Sequence, residues 1–211
     1  FSSSSFGIND TYTGIAGTLR RHGYHTAFYH GSYNGVMGFD STCRRLGFDD
    51  YHGKDEYDAW VPGNNDYDGV WGIYDEPFLQ YTVAHFADRG EPFFAEVFTV
   101  TSHHPFPIPE HLKNRFVEGR HPILKCVEYT DYALRHFFDQ ARRQPWFDNT
   151  IFIICGDHSG HGLTREYNDY DGWYRIPMMI YDPSNPVGTR SNRIVQQTDI
   201  YPTLLDYLGL D

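Results

Sequence analysis

Gly156-Asp157-His158-Ser159-Gly160 sets a carboxylate and an imidazole side by side between glycines, directly after the apolar run at residues 150–155 (TIFIIC). A divalent cation of hard or borderline character accepts both ligand types, and glycines allow the backbone bend that turns neighbouring side chains toward one ion. The same dipeptide can also close a plain hydrogen-bonded Asp–His turn. Two ligands do not make a closed site, so others must come from elsewhere in the fold or from chain outside these residues. His161 is a further candidate ligand, or a solvated loop residue.

His103 and His104 follow Thr101-Ser102 and precede Pro105, whose ring restrains His104 to extended geometry. An imidazole in that place could donate to a phosphate or sulfate oxygen or protonate a leaving alkoxide. Read blandly, the pair is two partly exposed loop histidines. His30 closes a short aromatic run at residues 24–30 (YHTAFYH), just before Gly31, and a lone histidine at such a place is commonly a satisfied structural residue. The chain has no G-x-G-x-x-G, no G-x-x-x-x-G-K-[ST] and no G-x-S-x-G, which removes the simple arguments for dinucleotides, P-loop nucleotides and α/β-hydrolase chemistry. No Ser, Thr or Cys stands out as an activated nucleophile.

Positioning these groups falls to alternating helices and apolar strands. Residues 9–23 read as a helix that Asn9 or Asp10 can cap and Gly23 can end, followed by a strand over 24–30. Residues 49–76 hold nine acids against one lysine, interleaved with Tyr51, Tyr57, Trp60, Tyr67, Trp71 and Tyr74, and no period survives there. This reads as a long surface excursion whose aromatics pack back onto the domain, or as an aromatic carbohydrate-binding face. A second helix should run from residue 75 to about 89, and a strand buried on both faces over 92–101. A third helix covers about 122–143, with Ile123, Val127, Leu134, Phe138 and Ala141 as its inner stripe. Strands at 150–155 and 176–181 and a helix over 199–207 complete the reading. The alternation implies an α/β fold, a largely parallel sheet sandwiched between helices, in which ligands gather at the carboxyl ends of strands. Three strands here end in histidine-bearing turns: His30, His103-His104 and Asp157-His158.

The 211 residues carry a formal net charge of −11, with lysine only at 54, 113 and 125, which argues against a broad nucleic-acid-binding surface. Three cysteines without C-x-x-C spacing suggest neither a disulfide framework nor a zinc ribbon. No apolar run approaches the 18 or so residues of a membrane span. The start, FSSSSFGIN, has no initiating Met and no leader pattern, so the chain reads as part of something longer, with any targeting or anchoring segment upstream.

Together the motifs resemble the alkaline-phosphatase/sulfatase superfamily and, within it, the lipoteichoic-acid-synthase-like phosphoglycerol transferases. The resemblance rests on His30-Gly31 with Gly38-Phe39-Asp40-Ser41 and Leu46-Gly47-Phe48, on residues 99–106 (TVTSHHPF), on residues 129–134 (YTDYAL), on Ile154-Cys155-Gly156-Asp157-His158, on Ile176-Pro177, and on residues 197–204 (QTDIYPTL). They occur in family order across nearly the whole chain. The resemblance implies an alkaline-phosphatase-like sheet between helices, of which residues 1–211 are the C-terminal portion. It implies that Asp157 and His158 ligate a catalytic divalent metal, manganese or magnesium in this branch and calcium in many sulfatases. His103 would be the active-site histidine beside the transferred phosphate, with His30 and His104 binding substrate. The family's nucleophile and a further metal-binding acid lie N-terminal to the aligned region, so this chain alone should be catalytically inactive. An arginine that binds glycerophosphate in the synthases aligns with Phe39. The expected activity is metal-dependent transfer or hydrolysis of a phosphoglycerol-type phosphodiester on a lipid-linked or glycan substrate, at the periplasmic or extracellular face of a bacterial membrane. The alternatives are a sulfatase on the same scaffold, or a non-catalytic carbohydrate-binding or interaction module using residues 49–76.

Overall fold

A computed structural model describes residues 13–88, 90–117, 119–160 and 164–210, which fall into two compact units, 1–141 and 142–211. Residues 9–12, with the caps expected at Asn9 and Asp10, and His161 lie outside the described residues.

In the first unit, α1 (Ile15–Arg21) ends where Gly23 adopts φ 87°, a left-handed conformation that glycine takes without a Cβ penalty. The chain then enters β1 (His25–His30), the central strand of a parallel sheet, flanked by β2 (Asp50–His52) and β3 (Phe93–Phe98). Pairing of Ala27 with Asp50 and of His30 with Phe98 brings the carboxyl ends of all three strands to one edge.

Because side chains alternate along a strand, Phe28 and Tyr29 point to opposite faces and each nucleates a layer. Phe28 packs against Phe48 and against Phe39 of α2 (Phe39–Leu46), in a cluster with Ala16 and Cys43. Tyr29 meets Phe86 and Tyr81 of α4 (Asp75–His85), and α4 in turn packs on α5 (Ile123–Ala141). Helices therefore cover both faces of the parallel sheet, as the α/β reading requires. Gly47 permits a close crossing: it sits at φ 95°, and a Cβ there would lie 2.5 Å from the Gly17 Cα of α1.

Several local expectations are corrected. Residues 49–76 are not one irregular excursion: they begin with β2 and α3 (Lys54–Trp60), and Tyr57 and Ile73 are buried core residues. The α2 helix was not expected either, since its inward face consists of one pair, Phe39 and Cys43, too short a repeat to register as a period. On α5 the buried stripe is Cys126, Tyr129, Ala133, Phe137 and Ala141, while Val127 faces outward. A sulfur, a phenol and two alanines line the core where branched aliphatics were expected. Among the described residues β3 is an edge strand, and it is half-buried along its length rather than covered on both faces.

In the second unit β4 (Phe152–Cys155) pairs with β5 (Met178–Tyr181) as an antiparallel ribbon, followed by α6 (Ile200–Leu208). The expectation of fully buried parallel strands fails here: Met179 and Ile180 are more than half exposed. Phe152 stacks on Tyr181, and Phe147 packs against both at a tilt to hold the ribbon's base. Cys43, Cys126 and Cys155 are free thiols.

Phe28, completely buried between β2 and β3, carries the α1–α2 layer. Phe28→Ala should cost about 3–5 kcal/mol of folding free energy in urea unfolding. A loss under about 1 kcal/mol would show that this cluster does not organise the sheet.

Candidate active site

His103 stands beyond the carboxyl end of β3, on a loop fixed by a buried carboxylate. Asp75, the first residue of α4, is 1% exposed. Its Oδ1 accepts the backbone N–H groups of Val100 and Thr101, both at 3.0 Å, and its Oδ2 accepts the Thr130 hydroxyl of α5 at 3.2 Å. Thr101 Oγ1 returns a bond by accepting the Asp75 N–H at 2.9 Å, and the Tyr129 hydroxyl oxygen accepts the Glu76 N–H at 3.1 Å. Burial pushes the Asp75 carboxyl above its usual range, against the pull of these hydrogen bonds.

From this anchor the chain turns, with the His103 N–H bonded to Val100 O and the Phe106 N–H to His103 O. His103 is exposed, and its Nδ1 lies 2.9 Å from the His104 carbonyl oxygen. A carbonyl only accepts, so Nδ1 carries the proton and Nε2 is left free for chemistry. His104 is exposed as well, its ring edge-on to Phe106 at 5.6 Å.

His30 reaches the same sheet edge but a different environment. It is 4% exposed, packed against Phe39 and Phe98, with the Tyr51 hydroxyl 3.4 Å from Nδ1. Burial lowers its pKa from 6.5 to about 4, so its imidazole is neutral at physiological pH. As placed, it meets aromatic rings rather than open solvent.

A strap spans the ends of β1 and β3. Ile73 N–H bonds Gly31 O at 2.8 Å, the Ser32 hydroxyl donates to Trp71 O, and Trp71 Nε1 donates to His104 O at 2.7 Å. The contact requires Gly72, since a Cβ there would lie 2.5 Å from Gly31 O. Part of the acidic aromatic segment therefore ties the His30 and His103 loops together.

In the second unit Asp157 and His158 follow β4 side by side, 55% and 74% exposed. Asp157 Oδ1 accepts the His158 N–H, and His158 Nδ1 donates to Ser159 O at 2.8 Å. Nε2 therefore presents its lone pair to Asp157 Oδ2, 3.3 Å away. Two acceptors that close need a proton or a cation between them. A carboxylate oxygen and an imidazole nitrogen so placed are donor types that a divalent cation accepts together. Gln197 steadies this turn, its Nε2 donating to the carbonyls of Gly156 and Asp157, both at 2.9 Å. Among the described residues no group of three or more His, Cys, Asp or Glu side chains gathers around an ion position.

Sequence reasoning singled out the histidines and Asp157 but missed their supports. Asp75 registered only as a helix start, Trp71 only as one aromatic among several, and Tyr129, Thr130 and Gln197 only as letters within motifs.

The Sulfatase family model matches residues 2–210. Lipoteichoic acid synthase 1 of Bacillus subtilis is 28% identical over 222 residues, covering 96% of this chain and 34% of the relative. A solved alkaline phosphatase superfamily protein from Vibrio parahaemolyticus superposes with a TM-score of 0.83 at 28% identity, over all of this chain and 51% of the other. The Streptococcus pyogenes phosphoglycerol transferase GacH, solved with sn-glycerol-1-phosphate, shares the fold at a TM-score of 0.59 and 15% identity, over 87% of this chain and 50% of its own. The chain thus spans about a third of the curated relative's length and half of these solved chains.

The lowered His30 pKa makes folding stability depend on pH. Between pH 6.5 and about 4 the unfolded chain binds a proton that the folded chain refuses, so stability is full above pH 6.5 and falls as the pH drops toward 4. The His30 contribution to that loss is about 3 kcal/mol. Denaturant unfolding at pH 7.5 and 4.5 should show a smaller acid loss in His30→Phe than in the parent. Equal losses would mean that His30 titrates normally.

Proposed function

The chain belongs to the Sulfatase family, and from that premise we propose that it supplies acid–base and metal-binding groups for transfer or hydrolysis of a phosphoglycerol-type phosphodiester. The observation that carries this reading is the shared form of His103 and His158: each donates Nδ1–H to a backbone carbonyl, which leaves Nε2 as the acceptor atom, in His158 beside the Asp157 carboxylate. The relative's name, lipoteichoic acid synthase, points to a glycerol phosphate polymer as the product class, and GacH was solved with a glycerol phosphate.

In this reading His103 Nε2, neutral, accepts a proton from an attacking hydroxyl or, protonated, donates one to a leaving alkoxide or a phosphate oxygen. His104 binds substrate at that edge, and the neutral His30 backs the edge from beneath Phe39 and Phe98. Asp157 Oδ2 and His158 Nε2 would hold a divalent cation, manganese or magnesium, and Gln197 keeps their turn in place. Such a cation would supply positive charge against the equatorial phosphate oxygens and lower the pKa of a bound nucleophile. This reading takes the nucleophile from outside residues 1–211. Among the described residues no helix is long and apolar enough to cross a membrane. The reaction takes place at the periplasmic or extracellular face of a bacterial membrane, on a lipid-linked or glycan substrate.

The test uses the longer protein that contains this chain, with manganese or magnesium and paired chromogenic phosphodiester and sulfate-ester substrates. Phosphodiester turnover is expected. It should fall to background in Asp157→Ala and His158→Ala and by about 10²–10⁴-fold in His103→Gln. Preferential sulfate-ester cleavage would replace the phosphoglycerol reading with a sulfatase. Residues 1–211 alone should give no turnover, and robust activity lost in Asp157→Ala would place the nucleophile within them.

A further inference from the structure

We propose that Trp71 is a positioning residue for His103, holding its imidazole in the tautomer that leaves Nε2 free for substrate. The proposal rests on His103 being the acid–base residue.

The Trp71 and His103 rings lie 4.1 Å apart between centroids, inclined at 57°. Trp71 Nε1 and His103 Nδ1 approach the same acceptor, the His104 carbonyl oxygen, at 2.7 and 2.9 Å. A carbonyl has two lone pairs and accepts both donors. The indole N–H thereby fixes the carbonyl, and the indole ring, in contact with the imidazole, stops it from swinging away. Freed of such restraint, a neutral imidazole can carry its proton on either nitrogen, and the fraction with hydrogen on Nε2 cannot accept a proton there.

Trp71 is itself held from three sides. Asp68 Oδ1 accepts the N–H groups of Val70, Trp71 and Gly72 at 2.7, 2.7 and 3.1 Å, closing the loop around it. The Ser32 hydroxyl donates to the Trp71 carbonyl, and the paired Tyr67 and Ile73 close the base of the loop. None of these bonds uses the indole, whose one polar atom and face are spent on the His103 turn. A side chain recruited only to cover the core would not need its N–H aimed at that carbonyl.

The experiment labels histidine with nitrogen-15 and reads long-range proton–nitrogen correlations, which distinguish Nδ1–H from Nε2–H. In the parent, neutral His103 should be the Nδ1–H form. Trp71→Phe keeps a ring but loses the indole N–H, and Trp71→Leu loses both. Tautomer mixing should increase in that order, with circular dichroism unchanged. In the longer protein kcat should drop about 10- to 100-fold, with KM altered far less. An unchanged Nδ1–H signature in both variants would overturn the proposal. So would a loss of turnover with that signature intact, since Trp71 would then act on substrate directly. Full activity in His103→Gln would instead sink the acid–base reading beneath it, whatever the tautomer shows.

Discussion

The carboxylate of Asp75 is the interaction on which the histidine edge of the first unit depends. It is buried, and its two oxygens serve two backbone amides of the β3 exit and a hydroxyl of α5. Burying a carboxylate is costly unless its lone pairs are satisfied, and removing it would leave the buried Val100 and Thr101 amides without their acceptor, each worth about 1–3 kcal/mol, besides depriving the half-buried Thr130 hydroxyl of its partner. The arrangement joins three elements far apart in the chain: the start of α4, the end of β3 and the middle of α5. The Trp71 strap and the His103 turn are built on that junction, because Asp75 closes the strap on one side and Thr101 leads into the turn on the other.

His103 and His158 share a local device. Each donates Nδ1–H to the carbonyl of the next residue, a bond that depends on a sharp turn just after a strand. That bond settles the tautomer without a carboxylate partner on Nδ1 and leaves Nε2 as the working atom. The supports differ. A buried Asp and an indole fix the His103 turn, whereas a glutamine amide bonded to two carbonyls fixes the Asp157-His158 turn.

The α/β alternation, the helices α4, α5 and α6 and the strand-end histidines were legible because apolar runs and strand ends leave local marks. What was not legible was set by distant partners. Whether β4 joins a parallel sheet or a ribbon depends on pairing, and TIFIIC reads the same in either. The α5 face was misread because Tyr129 is buried for its hydroxyl as well as its ring, and a hydrophobicity stripe cannot weigh that bond. Asp75 has no local signature as an anchor: its acceptors' partners lie 25, 26 and 55 residues away. The His30 motif also carries no sign of its surroundings: Phe39, which aligns with an arginine of the synthases in the resemblance, packs against its ring.

The His103 turn keeps its place only if Asp75 holds the β3 exit. Residue-resolved amide hydrogen exchange on Asp75→Ala, and on Thr130→Val as the milder variant, reads this directly. The expected result is selective loss of protection at Val100 and Thr101, larger in Asp75→Ala, while the β1–β3 ladder amides keep most of theirs relative to the parent. Val100 and Thr101 amides as protected in Asp75→Ala as in the parent would contradict it, because another group would then be holding the turn that carries His103.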